Sequence, residues 1–155
     1  MDFKQWLIKE SVPPEFVSGG RVALWRYSHG DRGDEYVIDP AAARPQPYSR
    51  RDYMLTKKPR TFFYLDPSQK EDLVGGHLYV TQFPAERIYN LLEDPEKLKE
   101  KAYIPNTTNI DFDELFDSVQ EAGYDGVYYR PHGRHVVNLF VPVTAKRANR
   151  KHETL

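Results

Sequence analysis

Cysteine is absent from this 155-residue chain. That excludes disulfides, thiolate metal sites and thiol catalysis, and it agrees with a reducing compartment. Long apolar runs are also missing. Nothing approaches the ~20 residues needed to span a bilayer as a helix. The opening MDFKQWLIKE is amphipathic and has no uninterrupted apolar core of a signal peptide. The expectation is a soluble cytoplasmic protein with no membrane partner.

Charge of one sign is lacking too: 22 Lys and Arg stand against 23 Asp and Glu, a formal net charge of −1. No overall field would draw the chain to nucleic acid or to an acidic membrane. Glycine-rich phosphate motifs do not occur. There is no Gly-x-Gly-x-x-Gly after a strand and no Gly-x4-Gly-Lys-Ser/Thr, so neither a Rossmann nor a P-loop site is indicated. Of the five histidines, only His132 and His135 have a spacing that suggests a metal, and a Gly-Arg turn separates them. They read as two solvated side chains, and no metal is expected. The Arg32–Asp34 tripeptide RGD reads as an accident of a charged loop.

What the chain has in abundance is aromatic residues, 14% of the total with 11 tyrosines, which suit cores and ligand clefts alike. The length fits one domain. Phe3, Trp6 and Leu7 give a helical stripe in a first helix over 1–14, closed by Val12-Pro13-Pro14. Alternation over 21–28 predicts a strand. From His29 to Lys58 the sequence is polar and rich in turn residues, which argues against a regular element. Strands are predicted near 60–65 and 77–83, and short helical turns over 84–102. The clearest helix runs over 111–123, with Phe112, Leu115, Phe116 and Val119 on one face and Gly123 as its stop. Two strands follow, 125–131 and 134–143, joined by a Pro-His-Gly turn. A basic tail then covers 144–155. The fold class is α+β, a mainly antiparallel split β-sheet or sandwich with flanking helices.

Four pieces in order resemble a degenerate ADP-ribosyltransferase-like domain of bacterial or phage type over about residues 21–143. They are LWRYSHG (24–30), RTFFYLD (60–66), AGYDGVYY (122–129) and VVNLFVPV (136–143). The resemblance implies a cleft holding NAD+ as substrate, and transfer of ADP-ribose to a protein, nucleic-acid or small-molecule acceptor. Cleaving the nicotinamide–ribose bond creates an oxocarbenium-like centre. Such a site must grip the carboxamide, stack the nicotinamide, anchor the diphosphate and stabilise the cation.

On this resemblance Arg26 takes the first motif position, near the adenine-side ribose or the diphosphate. Its other reading is a surface strand arginine paired with an acid. Ser28, His29 and Gly30 would present backbone groups to the carboxamide, and His29 is an alternative to Arg26 for the motif position. Phe62 and Tyr64 share one face of their strand and Phe63 the other, so either Phe62 or Tyr64 offers a ring to nicotinamide while Phe63 fills the core. Core packing alone also explains the triplet. Arg51 and Tyr53, with Arg50 and Tyr48, would close over the diphosphate and adenine, or form a solvated turn. In the last piece Asn138 stands where the family most often has Glu. Asn can bond a ribose hydroxyl but supplies no charge. Its bland reading is a solvent-facing or edge residue. The catalytic set is then Arg26, Tyr64 and Asn138 converging on one cleft. Loss of the carboxylate makes an inactive binding or inhibitor protein the alternative. A weaker reading is a nucleic-acid module built on the basic tail and SRRDY (49–53), with strongly salt-dependent binding.

Overall fold

A computed structural model describes residues 11–42, 56–67 and 76–148. These form a mixed α+β protein dominated by one large sheet with two helices. The strands are β1 (Val17–Ser18), β2 (Arg21–Ser28), β3 (Glu35–Ile38), β4 (Thr61–Tyr64), β5 (His77–Pro84), β6 (Ile88–Asn90), β7 (Gly126–Tyr129), β8 (Val136–Leu139) and β9 (Val143–Arg147). The helices are α1 (Leu98–Lys101) and α2 (Phe112–Glu121).

The strand order is β3-β9-β5-β2-β4-β8-β7-β6, with β1 added to β2. Every pairing is antiparallel except β6 with β7, which is parallel. The two halves of the sheet are joined unevenly. β2 pairs with β5 along its whole length, from Arg21↔Pro84 to Ser28↔His77. With β4 it shares the single register pair Trp25↔Tyr64. The expected split is therefore a narrow waist in one continuous hydrogen-bonded sheet.

Burial follows from this path. Val22 and Leu24 of β2, Phe63 of β4, Tyr79 of β5, Tyr128 of β7 and Val137 of β8 belong to one core, so residues from both halves close over the same face. Tyr89, Leu115, Phe116, Val119, Val127, Tyr129 and Val136 form a second core under α2. Strands β7 and β8 are buried at every position, because a core lies on each side of them. Each large apolar side chain sealed in this way contributes about 2 kcal/mol relative to exposure.

Helix α2 begins and ends where its sequence dictates. Asp111 is the N-cap, its carboxylate accepting from Glu114 N–H at 3.1 Å. Leu115, Phe116 and Val119 turn inward together. Gly123 leaves the helix at φ +98°, a conformation costly for any residue with a Cβ.

Several expectations are corrected. The segment expected to lack regular structure contains β3 and a 3-10 turn at Pro40–Ala42. The short Tyr36-Val37-Ile38 alternation is flanked by turn residues, and pairing with β9 stabilises it. The region 84–102, expected as helical turns, contains β6, and only Leu98–Lys101 is α-helical. Ile88 and Tyr89 face opposite cores, and a parallel partner in β7 overrides their weak helical pattern. The expected strand over 134–143 breaks at Phe140–Pro142, giving β8 and β9 as separate strands. The segment expected as a tail from 144 begins inside β9, where Ala145 is wholly buried and Lys146 pairs with Glu35. The expected stripe of Phe3, Trp6 and Leu7, and the end of the tail from 149, lie outside the described residues. Arg50, Arg51, Tyr48 and Tyr53 lie outside them as well.

Candidate functional site

The end of β2 turns sharply into the loop before β3, and polar groups collect around that turn. Alternation places Arg26 and Ser28 on the same face as Val22 and Leu24. Ser28 is almost fully buried. Its hydroxyl donates to Gly30 C=O at 2.8 Å and accepts from Arg32 Nε at 3.3 Å. Tyr79, opposite Arg26 on β5, donates its hydroxyl to Gly33 C=O at 2.8 Å and accepts from Arg32 N–H at 2.9 Å. The loop is thus fixed at both ends.

Tyr36 of β3 packs edge-on against Tyr79, with ring centroids 4.7 Å apart. The Arg32 guanidinium lies 5.9 Å from the centre of the Tyr36 ring. Arg26 Nη1 donates to Phe62 C=O at 3.3 Å, and its charge acts on the Tyr36 hydroxyl. Burial raises the Tyr36 phenol pKa, and the Arg26 cation partly offsets that rise. Two guanidinium groups therefore meet at one tyrosine. Beside them, Arg147 Nη1 donates to Asp31 at 2.8 Å and Nη2 lies against His77 Nδ1. The Asp31 carboxyl is held below its ordinary range, first by the Gly33 N–H and then by Arg147. His29 and Gly30 sit exposed at the tip of the turn, and a Cβ at Gly30 would meet nothing within 4 Å.

A separate network lies under the opposite face. Phe62 stands across from Asn138, and Tyr64 across from Val136. Asn138 is wholly buried. Its Oδ1 accepts from Arg60 Nε at 2.7 Å, and its Nδ2 donates to Tyr129 Oη at 3.3 Å. The Arg60 guanidinium is buried between two rings, 5.0 Å from the centre of Phe62 and 5.6 Å from that of Phe116. Asp113 lies close enough for Arg60 to help lower its pKa. The larger cause is the Thr56 hydroxyl, which donates to the same carboxylate at 2.5 Å.

The three residues expected to converge as a catalytic set are not brought together. Residues directly opposite in an antiparallel pair share a face, so Tyr64 lies on the side of Trp25 and away from Arg26. Asn138 shares the Tyr64 side. Nor is Asn138 a solvent-facing or edge residue, since it closes a buried network. Phe63 is fully buried, as its parity predicts, while Phe62 and Tyr64 are half-buried and pack on the second core. Arg60 covers the Phe62 ring. The sequence reading missed Arg60, although a cation two positions before an aromatic triplet was a signal for it. His135 also departs from its solvated reading. Its ring lies 4.9 Å from that of Phe16 and stacks on Tyr128 with planes 10° apart. Among the described residues, no three His, Asp or Glu side chains gather as a metal site.

Comparison with protein-family models, curated proteins and solved structures finds no match. No helix among the described residues is long and apolar enough to cross a membrane.

Proposed function

We propose that the chain is an NAD+-binding domain of the ADP-ribosyltransferase-like class, holding the dinucleotide on the Arg26 face of β2. The observation that carries this reading is the meeting of Arg26 and Arg32 at Tyr36, beside the Ser28–Gly30 turn. Guanidinium groups recognise diphosphate oxygens by paired, charge-assisted hydrogen bonds. In this reading Arg26 and Arg32 take the diphosphate, and the exposed His29–Gly30 backbone takes the carboxamide. Tyr64, on the other face, has no part in that site. NAD+ would supply the activated glycosidic bond, with a protein or nucleic acid as acceptor. The cysteine-free sequence fits a cytoplasmic setting.

One observation favours a second reading, the same domain acting without turnover as a binding or inhibitor protein. Asn138 is neutral, sealed from solvent and bonded to a buried cation, so it offers no negative charge to an oxocarbenium centre. Titration of the full chain with NAD+ by calorimetry, with proton NMR for free nicotinamide, separates these outcomes. Saturable binding lost in Arg26→Ala supports the site. Nicotinamide release then supports transferase chemistry, and binding without release supports the second reading. No binding up to ~5 mM NAD+ overturns the NAD+ site, since weaker association has little specific contact energy behind it, and turns the search to protein partners.

A further inference from the structure

A second concave site, remote from the Ser28–Gly30 turn, lies between the Val12–Glu15 segment, the turn after β6 and the end of β7. Its volume is about 360 Å³. Val12, Pro13, Pro14 and Leu92 supply apolar wall. Asn90, Arg130, His135, Glu15 and Glu93 supply polar groups.

Asn90 is only 5% exposed. Its Oδ1 accepts from Leu92 N–H at 2.9 Å and Glu93 N–H at 3.0 Å, which fixes the carboxamide. The amide NH2 on the other arm has no partner among the described residues, and Asn90 lines the cavity. That donor is accessible and fixed in orientation, and is available to an acceptor from outside the chain. Among the described residues, Arg130 uses only Nε, donating to Gly133 C=O at 3.2 Å. His135 Nδ1 lies 2.6 Å from the Tyr128 hydroxyl. Burial keeps the Tyr128 phenol protonated and the His135 ring neutral, so Tyr128 donates to Nδ1 and the proton of the ring sits on Nε2. Three kinds of N–H donor therefore border one cavity that also carries two carboxylates.

We propose that this cavity binds a free α-amino acid with an apolar side chain. Arg130, Asn90 and His135 would take the carboxylate, Glu15 and Glu93 the ammonium group, and the proline-lined wall the side chain. A simple anion fits poorly, because the two carboxylates outnumber the single guanidinium. A simple cation makes no use of the Asn90 and His135 donors.

The test uses the ¹⁵N-labelled full chain, titrated by NMR with L-leucine, N-acetyl-L-leucine and L-leucine amide. The expected result is saturable binding of L-leucine that moves the Asn90 and His135 signals. Both analogues, each lacking one charge, should bind at least about tenfold more weakly. Arg130→Ala and Asn90→Asp should each weaken L-leucine binding by a similar factor. Asn90→Asp keeps the oxygen that holds Leu92 and Glu93 N–H, and an unchanged melting temperature would show that the turn is intact. Arg130→Ala provides an independent variant at an exposed position. Absence of saturation up to ~20 mM L-leucine, equal binding of either analogue, or binding undiminished in Arg130→Ala would overturn the proposal.

Discussion

Arg60 and Asn138 meet through a 2.7 Å hydrogen bond beneath the sheet, 78 positions apart in sequence. The bond gives Asn138 a structural use. The guanidinium is desolvated between Phe62 and Phe116, so its nitrogens depend on oxygen partners inside the protein.

Replacing Asn138 tests this dependence. Asn138→Ala removes an acceptor from a buried cation, leaves a void and removes a donor to the Tyr129 hydroxyl. The expected loss is about 3 kcal/mol, in the range for losing a hydrogen bond to a charged group. Urea denaturation measures it. Asn138→Asp keeps an acceptor of the same shape and should recover much of the loss. Asn138→Glu should generate no nicotinamide release, because the added carboxylate faces Arg60 within the core.

Gly126 gives a sharper steric test. A Cβ built there would lie 2.4 Å from Asn138 C=O and 2.7 Å from Leu139 Cδ2. The first of these is backbone of the neighbouring strand and cannot swing aside, so the β7–β8 pair must part. Gly126→Ala should therefore destabilise by about 2–3 kcal/mol, the range for forced overpacking, despite the usual entropic gain of Gly→Ala. A thermal melt of the variant beside the parent chain reads this directly. A change below the noise would mean that the two strands are not this close.

Local chemistry was legible where one element dictated its own form. The alternation of β2, and the apolar face and glycine stop of α2, could be read directly. The parity of Phe62, Phe63 and Tyr64 was also visible before the fold was known. Features that depend on distant partners were not. Strand β3 is too short to declare itself and is fixed by β9, more than a hundred residues later. The same holds for the candidate site. Sequence could nominate Arg26, Tyr64 and Asn138 separately, but only the Trp25↔Tyr64 register reveals that Arg26 faces away from the other two. Arg60 acquires its meaning from Asn138, and Arg32 from Tyr36 and Tyr79.

His135 makes stability depend on pH in a predictable direction. Burial is the main cause holding its pKa below the ordinary 6.5; Arg130 adds to this, and Glu15 and Asp66 oppose it. The ring is enclosed by Phe16 and Tyr128. Between the folded value and 6.5, the unfolded chain binds more protons than the folded one, so stability rises with pH there. The contribution is complete above 6.5 and is lost as pH falls through the folded value. The urea midpoint should drop between pH 7.5 and pH 5, and His135→Gln should flatten that drop. The carboxyl groups of Asp31, Asp94 and Asp113, all held below their ordinary value, act in the same direction at lower pH, below about 4. An equal drop in parent and variant would assign the effect to other groups.

Arg26 distinguishes a ligand role from a structural one. Its guanidinium binds the Phe62 carbonyl, yet the residue is only half-buried and its removal strands no buried charge. Arg26→Ala should therefore change stability by no more than about 1 kcal/mol. If the Arg26 face holds NAD+, the same substitution should weaken calorimetric affinity at least about tenfold, and Arg26→Lys should recover only part of it, since a point charge lacks the planar fork. Lys58→Ala supplies the control. Lys58 pairs with the exposed Asp117 on α2 at 2.6 Å, under the other face of the sheet, and NAD+ affinity should not respond to its loss. Equal loss in the lysine and arginine variants would assign the effect to general electrostatics, and an Arg26→Ala variant that binds as the parent does would move the ligand off this face altogether.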